Sequence, residues 1–463
     1  MIFTSFAFIV FFVLVLAVTF LIQKFSGDRV KHYFLLAASY FFYGWWDWRF
    51  CFLLFFVSLS SYVTALYCRK KSVFILGVSV PLLVLGVFKY FGFFMNSLGL
   101  ERLGSLKIIL PVGISFYTFQ ALSYVIDVHR GKITPEKDFA QLALYISFFP
   151  QLVAGPIVRA SDFLPQLHDT SRRMTAENFC AGIQIIAFGY FKKSVLADHL
   201  SVFVDDVFGV PAAFHWASII LAVVSYSLQI YFDFSGYSDI ATGCAKCLGY
   251  DFVKNFNLPY ISESVTEFWR RWHISLSGWL RDYLYIPLGG NRHGRLRQLV
   301  NLMITMLLGG LWHGANWTFV FWGGLNGTAL CAEKIFIRKP MKKSGIFSSL
   351  ARMTAVFFFV SFTWIFFRSE SFTDAKALIT GIFTLQNGIK QPFFWSFAAI
   401  IILIVSEISA FFRAKRIKLS SVEGFVPLVN LNTVTGLTVF FVFCGVILGL
   451  AFTGENPFVY FQF

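Results

Sequence analysis

Charge is the scarcest property of this sequence. Asp, Glu, Lys and Arg together make up 14% of its 463 residues, whereas they make up about a quarter of an ordinary soluble domain. The longest polar stretches, near residues 157–180 and 368–392, are too short to fold by themselves. A soluble globular protein and a soluble domain carried on one anchor are therefore both excluded.

Apolar residues are abundant instead. Hydrophobic residues make up 57% of the chain, including 61 Phe, 18 Tyr and 12 Trp. A helix needs roughly 20 apolar residues to cross a bilayer, and the chain contains about ten to twelve segments of that kind. The first, Phe3–Ile22, is too long and too aromatic for a cleavable signal peptide, so we expect it to be the first span. We predict an all-α, polytopic integral membrane protein.

Cysteines are few and scattered, with seven in the chain. Only Cys244 and Cys247 lie close together, and neither a second pair nor a neighbouring histidine accompanies them. Cysteine-based metal and redox sites have more ligands than this pair supplies, so we expect helical packing here and no bound metal. The chain also has no internal repeat and no low-complexity tail.

The net charge of +15 arises from basic clusters between the apolar segments. These clusters are Lys24–His32, Arg69–Lys71, Arg338–Lys343 and Arg413–Lys418. Cytoplasmic loops of membrane proteins are enriched in Lys and Arg. The pattern therefore indicates orientation in a lipid bilayer, with the N-terminus outside, and argues against a nucleic-acid partner.

His313 is the one ionisable side chain in the apolar, glycine-rich run Leu307–Trp317. Titratable groups inside apolar membrane segments are costly and are often functional. The neighbouring glycines allow a backbone or a thin ligand to approach closely. Asn316 lies one helical turn on and can orient the imidazole or a carbonyl. A structural hydrogen-bonding histidine and a general base acting on a hydroxyl both fit this run.

A second histidine lies in residues 262–286, where the hydrophobic pattern predicts one amphipathic helix. Its polar side chains share an arc of about 80°, and they are Thr266, Arg270, His273, Ser277 and Arg281. One histidine, two hydroxyls and two guanidiniums in a row suit an anionic or phosphate-bearing ligand. An interfacial helix whose arginines meet lipid headgroups fits the same pattern equally well.

Polar residues also interrupt two apolar segments earlier in the chain. One helical face carries Gln120, Ser123, Tyr124 and Asp127. Interhelical hydrogen bonding is the favoured interpretation of this face. Pro150 and Pro156 break the second segment, which predicts either a re-entrant, cavity-lining element or a surface loop.

Two carboxylates, Asp233 and Asp239, lie in an otherwise apolar segment. Acidic groups in such a segment need partners or water. Paired catalytic carboxylates are one interpretation, but structural partners for the arginines of residues 262–286 are favoured.

Several motifs, in their order along the chain, resemble the membrane-bound O-acyltransferase family. They are Phe149–Gln151, Gly155–Pro156, Tyr231–Asp239, Asn255–Tyr260, Phe268–Ser277, Arg281–Tyr283, Leu311–Gly314 and Val459–Phe463. The closest likeness is to the bacterial branch of alginate O-acetyltransferases, peptidoglycan O-acetyltransferases and the teichoic-acid D-alanyl transfer protein. The motifs cover about residues 110–330 and the end of the chain.

The resemblance implies a single membrane domain over residues 1–463. It has about 11 transmembrane helices, plus short re-entrant and amphipathic helices around a central funnel and tunnel. The motif-bearing catalytic core is expected at about 110–330, with N-terminal spans at 1–92 and C-terminal spans at 350–452.

The resemblance also implies O-acyl transfer from a cytoplasmic thioester, acetyl-CoA or another acyl thioester, with no bound cofactor. His313 matches the position that the family treats as catalytic, and His273 matches its second histidine. We expect the remaining polar residues to bind the donor and line the tunnel, or to support the polar core. The former are Arg270, Ser277, Arg281, Trp312 and Asn316, and the latter are Gln120, Asp233 and Asp239.

The acceptor is inferred from the end of the chain. Tyr460–Phe463 resembles the alginate and peptidoglycan acetylation proteins more than the D-alanyl branch. We therefore expect an exopolysaccharide such as alginate, reached through a periplasmic or extracellular acetyl-acceptor protein, from a multi-pass position in the bacterial inner membrane. Peptidoglycan O-acetylation and D-alanyl transfer to teichoic acid are alternatives. A proton-coupled transporter or flippase is the non-enzyme alternative, which the lack of an internal repeat disfavours.

Overall fold

A computed structural model describes the chain except for residues 105, 107, 154, 337–344, 418–428, 455–457 and 459–463. The side chains of residues 101 and 406–417 are likewise not described. The C-terminal motif Val459–Phe463 and the basic cluster Arg338–Lys343 therefore lie outside the described residues. The side chains of the cluster Arg413–Lys418 also lie outside them.

The described residues form α-helices and no β-strand, which confirms the predicted all-α class. The first half of the chain forms α1 (Phe6–Phe25), α2 (Asp28–Gly44), α3 (Arg49–Tyr67), α4 (Lys71–Leu85), α5 (Phe91–Ser97), α6 (Glu101–Gly104), α7 (Ile114–His129), α8 (Phe139–Ser147), α9 (Phe149–Leu152), α10 (Ala160–His168) and α11 (Ala176–Tyr190). The second half forms α12 (Asp198–Gly209), α13 (Trp216–Cys247), α14 (Val265–Arg271), α15 (Ile274–Leu280), α16 (Gly294–His313), α17 (Trp317–Phe336), α18 (Ile346–Arg368), α19 (Phe372–Phe383), α20 (Phe394–Ile417) and α21 (Val434–Leu450).

Wider π-helical turns interrupt the helices at Gly86–Tyr90, Phe191–Ala197 and Arg281–Tyr285. Turns of this type are rare and often lie near functional sites. The first joins α4 to α5 and the second joins α11 to α12, so each pair forms one long helical segment.

Six helical segments in the described part of the chain are long and apolar enough to cross a membrane. They are Phe6–Phe25, Arg49–Tyr67, Lys71–Ser97, Ala176–Gly209, Trp216–Cys247 and Ile346–Arg368. Two shorter apolar helices, Phe394–Val405 and Val434–Leu450, join them. The chain is a multi-pass membrane protein, but the predicted number of about 11 spans is not confirmed.

The described Cα positions group into two units. The first comprises Met1–Gly189, Tyr237–Val253 and Phe425–Cys444, and the second comprises Tyr190–Gly236, Lys254–Gly424 and Gly445–Phe463. Of the site residues predicted from the sequence, Gln120 and Asp239 belong to the first unit. All the others belong to the second.

The proline-broken segment lies inside the first unit. Helix α8 ends before Phe148, and the short helix α9 follows with Pro150 in its first turn. The freed backbone finds partners, since Ser39 Oγ accepts a hydrogen bond from Phe149 N at 3.2 Å and the Tyr145 hydroxyl donates to Val158 O at 3.0 Å. Because irregular backbone at membrane depth is tolerated where protein buries it, this segment fits the buried interpretation better than a surface loop.

Helices α16 and α17 of the second unit pack against each other along much of their length. Gly310 and Gly323 lie where they meet: a Cβ on Gly310 would come within 2.2 Å of Phe319 O, and one on Gly323 within 2.3 Å of Met306 O. Small residues let membrane helices approach to backbone contact in this way. The pairing sets the distance between the end of α16, which carries His313, and the first turns of α17.

Candidate functional site

His313 is the last residue of α16. The next residue, Gly314, is extended, and a Cβ there would come within 2.1 Å of the Phe319 ring. Glycine is therefore required where the chain leaves the helix. The imidazole is 4% exposed, so the break places a polar ring in a buried environment at a helix end.

Three aromatic rings surround the His313 imidazole. The ring centroids of Trp312, Trp322 and Phe367 lie 5.1, 5.2 and 5.3 Å away, and each ring meets the imidazole edge to face. Edge-to-face packing at these distances is favourable and directional. The aromatic box holds His313 in one orientation and excludes bulk water from it.

His273 lies at a break between α14 and α15, so the predicted single helix over residues 262–286 is wrong. Trp272 is extended, and His273 has left-handed backbone angles, with φ 43° and ψ 57°. Left-handed backbone is uncommon for a residue with a Cβ and needs support from its surroundings. That support comes from a distant segment: Ile274 N donates to Asn255 O at 2.8 Å, and Asn257 N donates to Arg271 O at 2.9 Å. Hydrophobic periodicity carries no sign of such a pairing.

The break nevertheless brings the two predicted histidines to one aromatic side chain. His273 is 1% exposed, and its ring centroid lies 6.1 Å from that of Trp312 and 4.6 Å from that of Phe234. Trp312 also packs against His313. His273, Trp312 and His313 thus form a continuous buried cluster within the second unit, which we call the histidine cluster.

The polar arc expected on one helix is dispersed by the break. Ser277 Oγ donates to Trp272 O at 3.3 Å, and exposed Arg281 pairs with Asp282 at 2.7 Å. The Arg270 side chain is exposed and makes no hydrogen bond or ion pair with any described residue. Of the two arginines, Arg270 is the one whose charge is not already neutralised by a carboxylate.

Asn316 lies beyond the end of the helix that carries His313. Its side-chain oxygen accepts a hydrogen bond from Thr318 N at 3.1 Å, which makes it the N-cap of α17. Its amide nitrogen donates to Glu370 O at 2.8 Å. The expectation that Asn316 sits one helical turn beyond His313 is wrong, because α16 ends before that turn forms.

Trp322 and Phe367 are site residues that sequence reasoning missed. They lie on α17 and α18, and the fold alone brings them to His313. The Trp322 indole is 2% exposed, and no described residue accepts a hydrogen bond from its Nε1. In a chain with 12 Trp and 61 Phe, no local pattern distinguishes these two rings.

Asp233 is fully buried, and it forms an ion pair with a lysine. Lys193 Nζ lies 2.6 Å from Asp233 Oδ1 and 2.7 Å from Asp198 Oδ1. The expectation that arginines of residues 262–286 would pair with Asp233 is therefore not met. Lys193 lies in the π-helical turn before α12, and a lysine in an apolar segment was the signal that could have identified it.

Asp239 and Gln120 lie in the first unit. Asp239 follows Asp233 by six positions on α13, which is about 240° around the helix, so the two carboxylates do not share a face. Gln120 is buried on α7, and neither atom of its side-chain amide has a hydrogen-bond partner among the described residues. Nor do the described residues contain a group of three His, Cys, Asp or Glu side chains that could hold a metal ion.

Comparison with known proteins identifies the family of this chain. Residues 136–375 match MBOAT, the membrane-bound O-acyltransferase family. The chain belongs to this family. The matched region contains the whole histidine cluster, together with Asn255, Trp322 and Phe367.

Relatives of this MBOAT chain include named acetylation enzymes. The probable alginate O-acetylase AlgI of Pseudomonas putida is 36% identical over 478 residues, covering 95% of this chain and 96% of that protein. The probable alginate O-acetylase AlgI of Pseudomonas aeruginosa is 40% identical over 384 residues, covering 78% and 71%. The peptidoglycan O-acetyltransferase of Helicobacter pylori is 35% identical over 407 residues, covering 80% and 77%.

The MBOAT assignment makes the chain an acyltransferase, as expected from its motifs, and disfavours the transporter alternative. Acyl transfer to a hydroxyl needs a proton acceptor and a donor for the developing oxyanion. The histidine cluster contains two imidazoles, and the ring of Trp322, whose N–H has no acceptor among the described residues, packs against one of them. The buried site therefore holds both kinds of group.

Proposed function

We propose that this MBOAT enzyme moves an acetyl group from cytoplasmic acetyl-CoA to hydroxyls of an exopolysaccharide such as alginate. A periplasmic acceptor protein relays the group, and the enzyme resides in the bacterial inner membrane. The observation that carries the proposal is the aromatic box of Trp312, Trp322 and Phe367 around buried His313. The match to the Pseudomonas putida protein over nearly the whole chain supports acetate as the group and a polysaccharide as its destination.

His313 is the proposed proton acceptor. The oxygen of the acceptor hydroxyl attacks the thioester carbon, and its proton passes to the His313 imidazole. The C–S bond then breaks, the ester remains on the oxygen, and the proton is returned to the departing thiolate. A neutral imidazole suits this exchange because its unperturbed pKa lies near neutral pH.

Trp322 is the proposed donor to the thioester carbonyl as negative charge develops on its oxygen. Its indole N–H is buried and is not used by any described residue, while its ring packs against His313. A donor already in place costs no reorganisation when the oxyanion forms. The Asn316 amide, considered for this role from the sequence, is engaged with Glu370 and Thr318.

Trp322→Phe is expected to lower kcat by roughly 10²–10³-fold, the usual cost of removing one oxyanion donor. The ring volume is largely kept, so the effect should fall on kcat more than on KM for acetyl-CoA. Trp317→Phe is the matched control, because Trp317 lies on the same helix and is 53% exposed. Equal kcat values for the two variants in detergent-solubilised enzyme would rule out the role of Trp322.

We propose that the more exposed polar residues bind the acyl donor, acetyl-CoA. Coenzyme A carries phosphates, and Arg270 offers a guanidinium not paired with any described residue. Ser277 and Trp312 would line the path of the acyl chain towards His313. Arg281 would approach the donor only by giving up part of its contact with Asp282.

Acetyl transfer can be measured with the purified enzyme in proteoliposomes and acetyl-CoA labelled in the acetyl group. Deacetylated alginate and the candidate periplasmic protein would be added on the far side of the membrane. We expect alkali-labile label on the polysaccharide, dependent on both proteins. Release of free CoA and acetate without labelled product would contradict the proposal.

Peptidoglycan is the second candidate acceptor, and the Helicobacter pylori match favours it. Offering peptidoglycan fragments and alginate in the same assay separates the two, since the labelled product is either a glycan-strand ester or an alginate ester. A D-alanyl carrier-protein thioester, offered in place of acetyl-CoA, tests the remaining alternative.

A further inference from the structure

We propose that Asn255 is a positioning residue that fixes His273 in the neutral form protonated on Nδ1. Nε2 of His273 then faces the substrates as a hydrogen-bond acceptor, for the N–H of a pantetheine amide or the O–H of the acceptor. The proposal rests on the proposed acyl-transfer function and adds a residue and a proton position to it.

The orientation of the Asn255 amide is set by a group that can only donate. The backbone N of Ser275 lies 3.2 Å from Asn255 Oδ1, and the Ser275 hydroxyl donates to the same atom at 2.9 Å. A backbone N–H has no lone pair to offer. The atom that Asn255 presents here is therefore its carbonyl oxygen and not its NH₂ group.

That oxygen determines which nitrogen of His273 carries the proton. His273 Nδ1 lies 3.2 Å from Asn255 Oδ1. Two lone pairs facing each other would repel, so Nδ1 must be the N–H nitrogen and donate to Asn255. The Ser275 hydroxyl is farther from Nδ1, at 3.4 Å, and its proton is already directed at Asn255. In the neutral ring, Nε2 then carries the lone pair.

The lone pair on His273 Nε2 has no hydrogen-bond partner among the described residues. His273 is 1% exposed, and no described residue forms a hydrogen bond with its Nε2. The rings of Phe234 and Trp312 pack against the imidazole, and neither residue donates a hydrogen bond to Nε2. A buried acceptor left without a partner is unfavourable, which points to a ligand that supplies the missing donor.

The same segment holds the backbone of His273 in its left-handed conformation. Asn255 O accepts a hydrogen bond from Ile274 N, and Asn257 N donates to Arg271 O, so residues 255–257 pair with both sides of the break. Asn255 thereby contributes to the backbone conformation of His273 as well as to its tautomer. Strained backbone that its surroundings enforce in this way is typical of functional sites.

A double-mutant cycle tests whether Asn255 acts through His273. Asn255→Leu keeps the branching of the side chain but removes the acceptor, and we expect about 10- to 100-fold lower kcat per folded enzyme. Asn255→Asp keeps an acceptor oxygen and should recover most of that loss. Adding Asn255→Leu to His273→Ala should cost nothing further, since the group that Asn255 positions is then absent.

Asn257→Leu is the matched control. Among the described residues, the Asn257 side chain accepts a hydrogen bond only from Lys254, at 3.2 Å on the exposed side of the same segment. The backbone pairing of Asn257 survives the substitution. Turnover equal to that of the native enzyme is expected. If Asn255→Leu and His273→Ala instead multiply in their effects, or Asn255→Leu turns over normally, the positioning role is refuted.

Two further measurements separate the possible outcomes. A raised KM for acetyl-CoA in His273→Gln identifies the pantetheine amide as the donor to Nε2, and an unchanged KM with lower turnover identifies the acceptor hydroxyl. The ¹⁵N spectrum of histidine-labelled enzyme, with the His273 signal assigned by its loss in His273→Gln, reports the protonated nitrogen directly. A proton on Nε2 overturns the inference even if the native enzyme proves to transfer no acetyl group, which would refute only the proposed function.

Discussion

Acetyl transfer is expected to fall by roughly 10²–10⁴-fold, the usual contribution of a general base, when His313 is replaced by alanine. The reason is that His313 is a titratable ring held in one orientation by Trp312, Trp322 and Phe367. Alanine leaves the aromatic box in place but provides nothing that accepts a proton. The measurement is labelled acetate transferred per folded enzyme in proteoliposomes.

A loss of folding must be separated from a loss of chemistry. His313→Gln fills more of the box than alanine but remains a poor base, so it should be nearly as inactive while keeping the elution profile and thermal transition of the native enzyme. His293→Ala is the matched histidine control, because His293 is exposed at the start of α16. A His313 variant that is folded and retains native turnover would remove His313 from the mechanism.

The membrane class could be predicted from the sequence, and His313 could be selected as a candidate, because neither step depends on contacts between distant residues. A chain with 14% charge cannot cover a soluble surface, and an ionisable ring in an apolar run needs a reason to persist. The first argument needs only the composition of the chain, and the second needs only the residues near one position. The α-helical class follows from the same apolar segments, and the structure confirms it.

The surroundings of the histidines could not be predicted, because they depend on contacts between distant segments. Phe367 reaches His313 from a helix more than 50 positions later in the chain, and Asn255 reaches His273 across 18 positions. The helical pattern of residues 262–286 continues through His273 without interruption. Only the pairing with residues 255–257 shows why the helix ends there and begins again.

Asp233 has a charged partner, as expected, but the partner is not one of the residues predicted from the sequence. A buried carboxylate was expected to need a cation, and it has one, but the cation is Lys193. Removing one member of such a buried pair commonly costs about 3–5 kcal/mol, because the other charge is left uncompensated. Phe234, the next residue on α13, packs against His273. The ion pair therefore anchors the same helix that supports the histidine cluster.

Gly323→Ala is expected to destabilise the folded enzyme by about 1–3 kcal/mol and to reduce turnover of the surviving protein. The added Cβ would lie 2.3 Å from Met306 O, a backbone atom of α16 that cannot rotate away. The helices must therefore separate by about 1 Å, and a displacement of that size near a reacting group can cost 10²-fold in rate. Because α16 carries His313 and α17 carries Trp322, separation moves the proposed base away from the proposed oxyanion donor.

Gly324→Ala distinguishes this close approach from a general effect of alanine in α17. A Cβ on Gly324 would have only the flexible side chain of Leu307 nearby, at 3.5 Å, which is ordinary contact. Alanine also favours the helix over glycine by about 1 kcal/mol, so Gly324→Ala should be neutral or slightly stabilising, with native turnover. Thermal transitions and acetyl transfer of the two neighbours, measured side by side, decide the matter. Equal behaviour would show that contact between α16 and α17 at Gly323 does not set the geometry of the site. The expected contrast would show that catalysis depends on the absence of a Cβ at this position.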